Sequence, residues 1–154
     1  MTFAHDPQMA LAAAAALVNT DPVGGSGEDT LTTREDLARF LDEQGWYGVR
    51  LGDGTELEAV RALRPELRAL WHLEEVPLVD RINEILVEAQ ALPQLVDHDG
   101  LGWHVHAVPQ HAPLDQRMAV EAAMALIDVV RSGELDRLKT CAAEDCEDVV
   151  VDLS

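Results

Sequence analysis

The sequence predicts a mainly α-helical protein of the α+β class, in which several helices form one domain with a single β-hairpin. Apolar residues recur at helical spacing along most of the chain, and one stretch instead alternates apolar and polar side chains. The length of 154 residues suits one domain, and a hydrophobic content of 47% is typical of a globular core. Only 4% of the residues are aromatic, so we expect Leu, Val, Ile and Ala to build that core.

Two helices are expected in the first third of the chain. The alanine-rich segment Asp6–Val18 predicts the first, and Pro22 with the adjoining Gly-rich loop prevents it from continuing. Thr32 and Glu35 have the spacing of a capping box, which predicts where the second helix begins. Gly45 is expected to end that helix, because glycine readily adopts the left-handed conformation that follows many helices.

Two further helices are expected in the middle of the chain. Thr55 and Glu58 repeat the capping-box spacing at the start of the third helix. Pro65 lies within its apolar stripe and is expected to kink the helix or split it in two, because proline has no N–H to donate. Pro77 is expected to begin the fourth helix, which should end before Pro93.

The alternating stretch predicts a β-hairpin at about residues 93–108. Its two runs are Leu95–His98 and Trp103–Val108. The dipeptide Asp99-Gly100 between them is typical of a tight turn. This is the one part of the chain where we expect a sheet before the C-terminal segment.

The last third of the chain predicts the longest helix, a short turn and a strand. Apolar spacing places the helix over about Leu114–Arg131, and Gly133 is expected to end it. Glu134–Leu138 should add one helical turn. The β-branched run Val149–Val151 is expected to form a short strand beyond the two cysteines.

The acidic residues dominate the charge of the protein and exclude some partners. The sequence has 11 Lys and Arg residues and 29 Asp and Glu residues, so its net charge at pH 7 is −18. Such a surface repels phosphate backbones and anionic lipids, so we expect these residues to bind neither DNA nor membranes. The charge either keeps the protein soluble or attracts a basic partner.

No segment has the length or composition of a membrane span, and we expect a cytoplasmic protein. The apolar run Met9–Val18 resembles the core of a signal peptide, but His5 and Asp6 precede it instead of basic residues. We also expect no enzyme, because the sequence has no phosphate-binding glycine loop, no nucleophile elbow and no zinc-protease motif.

Three histidines lie in the predicted hairpin and form a candidate metal or ligand site. His104 and His106 share one face of their strand, with Trp103 and Val105 on the other. With His98 across the hairpin, three imidazoles would approach one metal ion. The alternative is a polar face in solvent, opposite a buried apolar face.

A polar pair at the end of the first helix is a second candidate site. Asn19 and Thr20 either line a small-molecule pocket near Gly24-Gly25 or end the helix and hold the loop in place. We keep Asn19 as a candidate ligand-binding residue.

Three arginines share one side of the third predicted helix. Arg61, Arg64 and Arg68 have the spacing i, i+3 and i+7. In so acidic a protein they pair with carboxylates such as Glu58 and Glu66, or they form an anion-binding patch. Arg64 is therefore a further candidate for ligand binding.

Two cysteines with four residues between them lie near the C-terminus. Cys141 and Cys146 have a spacing that suits half of a tetrahedral zinc site, which takes its ligands in pairs from short turns. The alternative is a pair of free thiols, because two cysteines alone do not make a structural zinc site.

The order of these segments resembles the bacterial CGNR-type zinc-finger proteins, a family regarded as stress-induced transcription regulators, whose N-terminal part is the ABATE domain. The resemblance runs nearly from end to end. The matching stretches are Ala16–Thr20 with Glu28-Asp29, Thr32–Leu41, Val60–Arg64, His104–His106, Leu138–Cys146 and Val151–Ser154.

The resemblance implies a helical ABATE-like domain over residues 1–138 and the first half of a zinc finger over residues 139–154. In the family the finger continues with an Arg-rich stretch, a third cysteine and a Cys-Gly-Asn-Arg motif, whereas this sequence stops at Ser154. It therefore implies DNA binding only through that basic continuation. It implies zinc in a complete relative, and we expect Cys141 and Cys146 alone to bind zinc weakly or not at all.

The resemblance also implies a role for the helical domain, which we expect to sense a small-molecule effector or to form a homodimer. Two chains could then bring their cysteine turns together as one all-thiolate zinc site. The alternative is a stand-alone acidic interaction protein that binds a basic partner through its charge of −18.

Overall fold

The computed structural model describes residues 5–23, 27–98 and 100–154, which form five helices and two antiparallel strand pairs. The predicted fold class, mainly α with a small β part, is confirmed. In chain order the elements are α1 (His5–Val18), α2 (Arg34–Gln44), α3 (Gly54–Leu70), α4 (Glu75–Glu88), β1 (Gln94–Asp97), β2 (Trp103–His106), α5 (Leu114–Ser132), a 3-10 turn (Leu135–Arg137), β3 (Leu138–Thr140) and β4 (Val149–Val151). Among these helices none has the length and hydropathy to cross a membrane.

The core forms around α5, which packs against α1, α3 and α4. The apolar stripe predicted for α5 is fully buried, with no member more than 3% exposed. The buried alanine side chains of α1 are small, so neighbouring elements can pack close to this helix. The α5 stripe consists of Leu114, Met118, Ala122, Ala125, Leu126 and Val129.

The helices α2 and α3 begin at aspartate-based caps that differ from the predicted ones. Thr33 caps α2: its hydroxyl accepts the Asp36 N–H at 3.0 Å, and its own N–H donates to the Asp36 carboxylate at 3.0 Å. Asp53 caps α3 by accepting the Glu56 N–H at 2.8 Å. The short Asp side chain reaches the backbone in both caps. Two predicted capping pairs were therefore wrong: Thr32 with Glu35, and Thr55 with Glu58.

The third helix runs unbroken through Pro65, so of the two predicted outcomes the split was wrong, and the kink stays a prediction. Pro65 cannot donate to the carbonyl of Arg61, but the Arg64 Nε donates to that oxygen at 3.3 Å and satisfies it. The fourth helix begins at Glu75, two residues before Pro77. Pro77 therefore lies in the first turn, where the missing N–H needs no partner.

His104 and His106 lie in the first strand pair, and Cys141 and Cys146 lie between the two strands of the second. β1 and β2 pair with Val96 opposite His104, and β3 pairs with β4 so that Thr140 faces Val149. The predicted hairpin is present, with β1 ending at Asp97 and β2 beginning at Trp103. Asp99 of the predicted turn lies outside the described residues. The valine strand and the helical turn before β3 are confirmed.

Candidate functional site

A pocket of about 500 Å³ lies between α1, α5 and the β1–β2 hairpin. This volume is in the range of ~300–1,000 Å³ that is usual for small-molecule sites. Ala10 and Ala13 of α1 and Met124 and Ile127 of α5 give it an apolar wall. The three hairpin histidines and Glu121 of α5 add polar groups to the same lining.

The three hairpin histidines bring their Nε2 atoms together at the pocket. The Nε2 of His98 lies 2.9 Å from that of His106 and 3.0 Å from that of His104. The third separation, between His104 and His106, is 3.2 Å. The convergence predicted from the strand spacing is thus present in the structure.

The histidine face of the β1–β2 hairpin is turned toward the protein, and the face with Trp103 and Val105 is turned toward solvent. His104 is 8% exposed, whereas Trp103 is 74% exposed and Val105 is 48% exposed. The histidines therefore face the protein, and the alternative of a polar histidine face in solvent was wrong. Buried imidazoles need hydrogen-bond partners, and the fold supplies them on this side.

Each β2 histidine is oriented through its second ring nitrogen. The Nδ1 of His104 lies 2.7 Å from the carbonyl oxygen of Gly102, and the Nδ1 of His106 lies 3.3 Å from the Glu121 carboxylate. Tyr47 packs edge-on against the ring of His98, with 5.4 Å between the ring centres. Glu121 was not among the predicted site residues. Its position was the available signal, because Glu121 lies at the edge of the apolar stripe of α5, one turn after Arg117 and one turn before Ala125.

Arg117 is a second pocket residue that was not predicted from the sequence. It is only 4% exposed and donates hydrogen bonds to the backbone carbonyls of Tyr47, Val49 and Ala112. Burial lowers the pKa of its guanidinium. Arg117 thereby fixes the loop after α2, whose residue Trp46 forms part of the pocket wall.

The β3–β4 hairpin, which we call the cysteine hairpin (residues 138–151), brings the two cysteines together. The Cys141 N–H donates to the Asp148 carbonyl at 2.8 Å. A hydrogen bond with the Cys146 thiol and the backbone N–H of Ala143 lower the pKa of Cys141, and the same thiol contact raises the pKa of Cys146. Backbone donors aimed at paired sulfurs suit thiolate ligands of zinc.

Two thiols have the chemistry of one pair of ligands for a structural zinc site, and zinc binding by Cys141 and Cys146 stays a prediction. Among the described residues, no third His, Cys, Asp or Glu joins them in a group that could hold an ion; the histidine cluster is separate. Bound zinc would hold the turn of the cysteine hairpin closed, with Cys141 and Cys146 supplying its first pair of ligands.

The family model for ABATE, described as "Putative stress-induced transcription regulator", matches residues 11–133. The chain belongs to the ABATE family. The matched region contains the three histidines, Glu121 and most of the pocket lining, although Ala10 precedes it, and the cysteine hairpin follows it. A comparison with the curated proteins gives no match. The resemblance inferred from the sequence is confirmed, while the exact domain boundary at residue 138 stays a prediction.

In this ABATE domain Asn19 joins α1 to the cysteine hairpin. Its Nδ2 donates to the Val149 carbonyl at 2.9 Å, and its Oδ1 accepts the Val149 N–H at 2.8 Å. The neighbouring Thr20 hydroxyl donates to the Leu17 carbonyl at 2.6 Å and closes the helix end. Gly24-Gly25 lies outside the described residues. Ligand binding by Asn19 stays a prediction.

The three ABATE-domain arginines of α3 are held by protein groups. Arg64 is 4% exposed, and its guanidinium contacts the two Asp29 oxygens at 2.8 Å and 2.9 Å. This pairing lowers the pKa of Asp29. Arg61 lies 3.3 Å from the same carboxylate and 3.6 Å from Glu58. Pairing with carboxylates thus accounts for Arg61 and Arg64, and ligand binding by Arg64 stays a prediction.

Arg68 of α3 and Trp71, which follows that helix, attach the ABATE helices to the cysteine hairpin. Arg68 donates to the carbonyl of Glu147 in the hairpin and to the carbonyls of Val18 and Asp21 after α1. The indole N–H of Trp71 donates to the Val150 carbonyl at 3.2 Å. With Asn19, these bonds attach the hairpin to both α1 and α3.

Proposed function

We propose that this chain is the effector-sensing domain of a stress-related transcription regulator, and that the 500 Å³ pocket is its effector site. One observation carries the proposal: both helices that line the pocket connect to the cysteine hairpin, α1 through Asn19, which bonds to Val149, and α5 through the 3-10 turn that leads into β3. A molecule bound between these helices acts on the segment that carries Cys141 and Cys146.

The connection on the α1 side is direct. Ala10 and Ala13 line the pocket, and Asn19, immediately after the same helix, exchanges two hydrogen bonds with Val149. On the α5 side, Glu121 and Met124 line the pocket, and the chain passes from the end of α5 through the 3-10 turn into β3. A shift of either helix therefore moves a strand of the cysteine hairpin, which is how two sites become coupled.

In this proposal DNA binding belongs to a basic zinc finger and not to the helical domain. A net charge of −18 repels a phosphate backbone, so the helices do not supply that contact. We expect the remaining zinc ligands and the basic residues to follow Cys146, as the resemblance to the CGNR-type proteins implies. A homodimer, and capture of a basic partner by the acidic surface, stay predictions.

The test is a thermal-shift screen of the purified chain against metabolites and stress-related small molecules. We expect at least one compound to raise the unfolding temperature, because a ligand that binds only the folded state stabilises it. Ala10→Phe places a ring in the pocket and should abolish the shift. Ala12→Phe is the matched control, because Ala12 is exposed on the same helix.

The proposal is contradicted if no compound stabilises the protein and native mass spectrometry finds no co-purified small molecule. It is also contradicted if Ala10→Phe, folded as judged by circular dichroism, binds the compound as tightly as Ala12→Phe does. In either case the acidic interaction protein becomes the better account.

A further inference from the structure

We propose that His98, His104 and His106 form a binding site for a divalent transition-metal ion, for which Zn²⁺ and Co²⁺ are suitable probes. The site is distinct from the cysteine pair, because the cysteines belong to a separate hairpin. It stands on the geometry of the histidines and does not depend on the proposed effector.

The spacing of the three nitrogens matches the needs of a metal ion. Bonds of ~2.0–2.1 Å to imidazole nitrogen in a tetrahedral site place neighbouring ligand atoms about 3.3 Å apart. The three Nε2 separations of 2.9, 3.0 and 3.2 Å are slightly shorter than this value. Small side-chain rotations suffice to reach the liganded geometry.

The tautomers set by the fold leave metal-binding lone pairs at the centre of the cluster. The carbonyl of Gly102 can only accept, so the Nδ1 of His104 carries the proton and its Nε2 carries a lone pair. The Glu121 carboxylate selects the same tautomer for His106. Two lone pairs 3.2 Å apart repel each other, and either a metal ion between them or an N–H of the neighbouring His98 relieves that repulsion.

The second ring nitrogens have the partners that metal-bound histidines usually have. A ligating histidine commonly donates its other N–H to a carboxylate or a backbone carbonyl, which fixes the ring and makes it a better ligand. Glu121 and the Gly102 carbonyl are such partners for His106 and His104. The Glu121 charge also offsets part of the charge of a bound dication.

Three histidines leave the fourth coordination position of a tetrahedral ion open, as in catalytic zinc sites. Because all three line the pocket, a small molecule in the pocket can occupy that position. The favoured class is a molecule with a carboxylate, thiolate or other metal-binding anion. This last step rests on the proposed function, whereas metal binding itself does not.

The experiment titrates Co²⁺ into the chain carrying Cys141→Ser and Cys146→Ser, so that no thiolate contributes. We expect one ion per chain and the visible absorption of four-coordinate cobalt. His104→Ala in the same background should lower the affinity by more than the ~10–100-fold typical of losing an outer-shell partner. His111→Ala is the matched control, because His111 is exposed on the loop before α5.

Two further measurements test the metal site if His104→Ala folds poorly. Glu121→Gln should lower the Co²⁺ affinity about 10-fold through the orientation of His106. Azide added to the Co²⁺-loaded protein should change the visible spectrum, because it occupies the open position. This readout requires no effector, so it separates failure of the metal site from failure of the proposed function.

The metal site is overturned if the cysteine-free chain binds no Co²⁺, or if it binds Co²⁺ equally well with and without His104 and His106. The histidines are then a hydrogen-bonded cluster around a shared proton. If Co²⁺ binds through the histidines but azide leaves the spectrum unchanged, the site is closed and the open coordination position is overturned.

Discussion

Arg117→Met should lower the free energy of unfolding by about 3 kcal/mol, because a hydrogen bond from a charged donor contributes ~1.5–3 kcal/mol and several are lost together. Methionine fills a similar volume but cannot donate to the carbonyls of Tyr47, Val49 and Ala112. Relief from burying a charge offsets part of the loss. Urea unfolding followed by circular dichroism measures the change.

The control for this variant is Arg131→Met on the same helix. Arg131 is exposed, so its replacement should change the stability by less than about 0.5 kcal/mol. Equal effects of the two substitutions would mean that Arg117 does not hold the loop after α2.

Gly48→Ala should destabilise the protein by about 3 kcal/mol, because it combines a strained backbone with overpacking. Gly48 has φ +89°, which non-glycine residues rarely adopt. A Cβ there would lie 2.6 Å from the Arg117 guanidinium and 2.7 Å from the backbone carbonyl oxygen of Gln110. The backbone oxygen cannot move aside easily, since it accepts the Val49 N–H at 3.1 Å.

Gly52→Ala separates the two causes of that loss. Gly52 has φ +67° but open space around the position of a Cβ, so only the backbone cost remains, about 1 kcal/mol. Thermal or urea unfolding of both variants measures the difference. A Gly48→Ala protein as stable as Gly52→Ala would show that the loop and Arg117 are not packed closely.

The helices could be predicted because their signals are local. Apolar spacing identified the α5 stripe, and Gly45 and Gly133 adopt the left-handed conformation that ends α2 and α5. The first residues of α2 and α3 could not be predicted as well, since several neighbouring side chains compete to cap each one. Thr33 and Asp53 form the caps in place of Thr32 and Thr55.

The candidate site was predicted only in part, because its decisive contacts join distant residues. Alternation correctly placed His104 and His106 on one face, yet it also made Trp103 and Val105 the natural buried face. The inward face contacts α5, where the Glu121 carboxylate lies 3.3 Å from His106 although the two residues are 15 positions apart in the sequence.

The attachment of the cysteine hairpin could not be predicted from the sequence for the same reason. Asn19 and Val149 are 130 residues apart, and Arg68 and Glu147 are 79 residues apart. Helix-end behaviour explains why an asparagine follows α1, but nothing local indicates that its amide pairs with a strand edge. Such contacts arise only when the tertiary fold brings both segments together.

Hydrogen exchange of the cysteine hairpin, measured with the pocket empty and filled, tests the central claim most directly. The reporters are the Cys141 amide, which donates to the Asp148 carbonyl, and the Val149 amide, which donates to Asn19. A compound that stabilises the wild-type chain should change the exchange rates of both amides several-fold, and it should have no such effect in Ala10→Phe. Protection confined to α1 and α5, with unchanged rates at Cys141 and Val149, would contradict the coupling between pocket and hairpin.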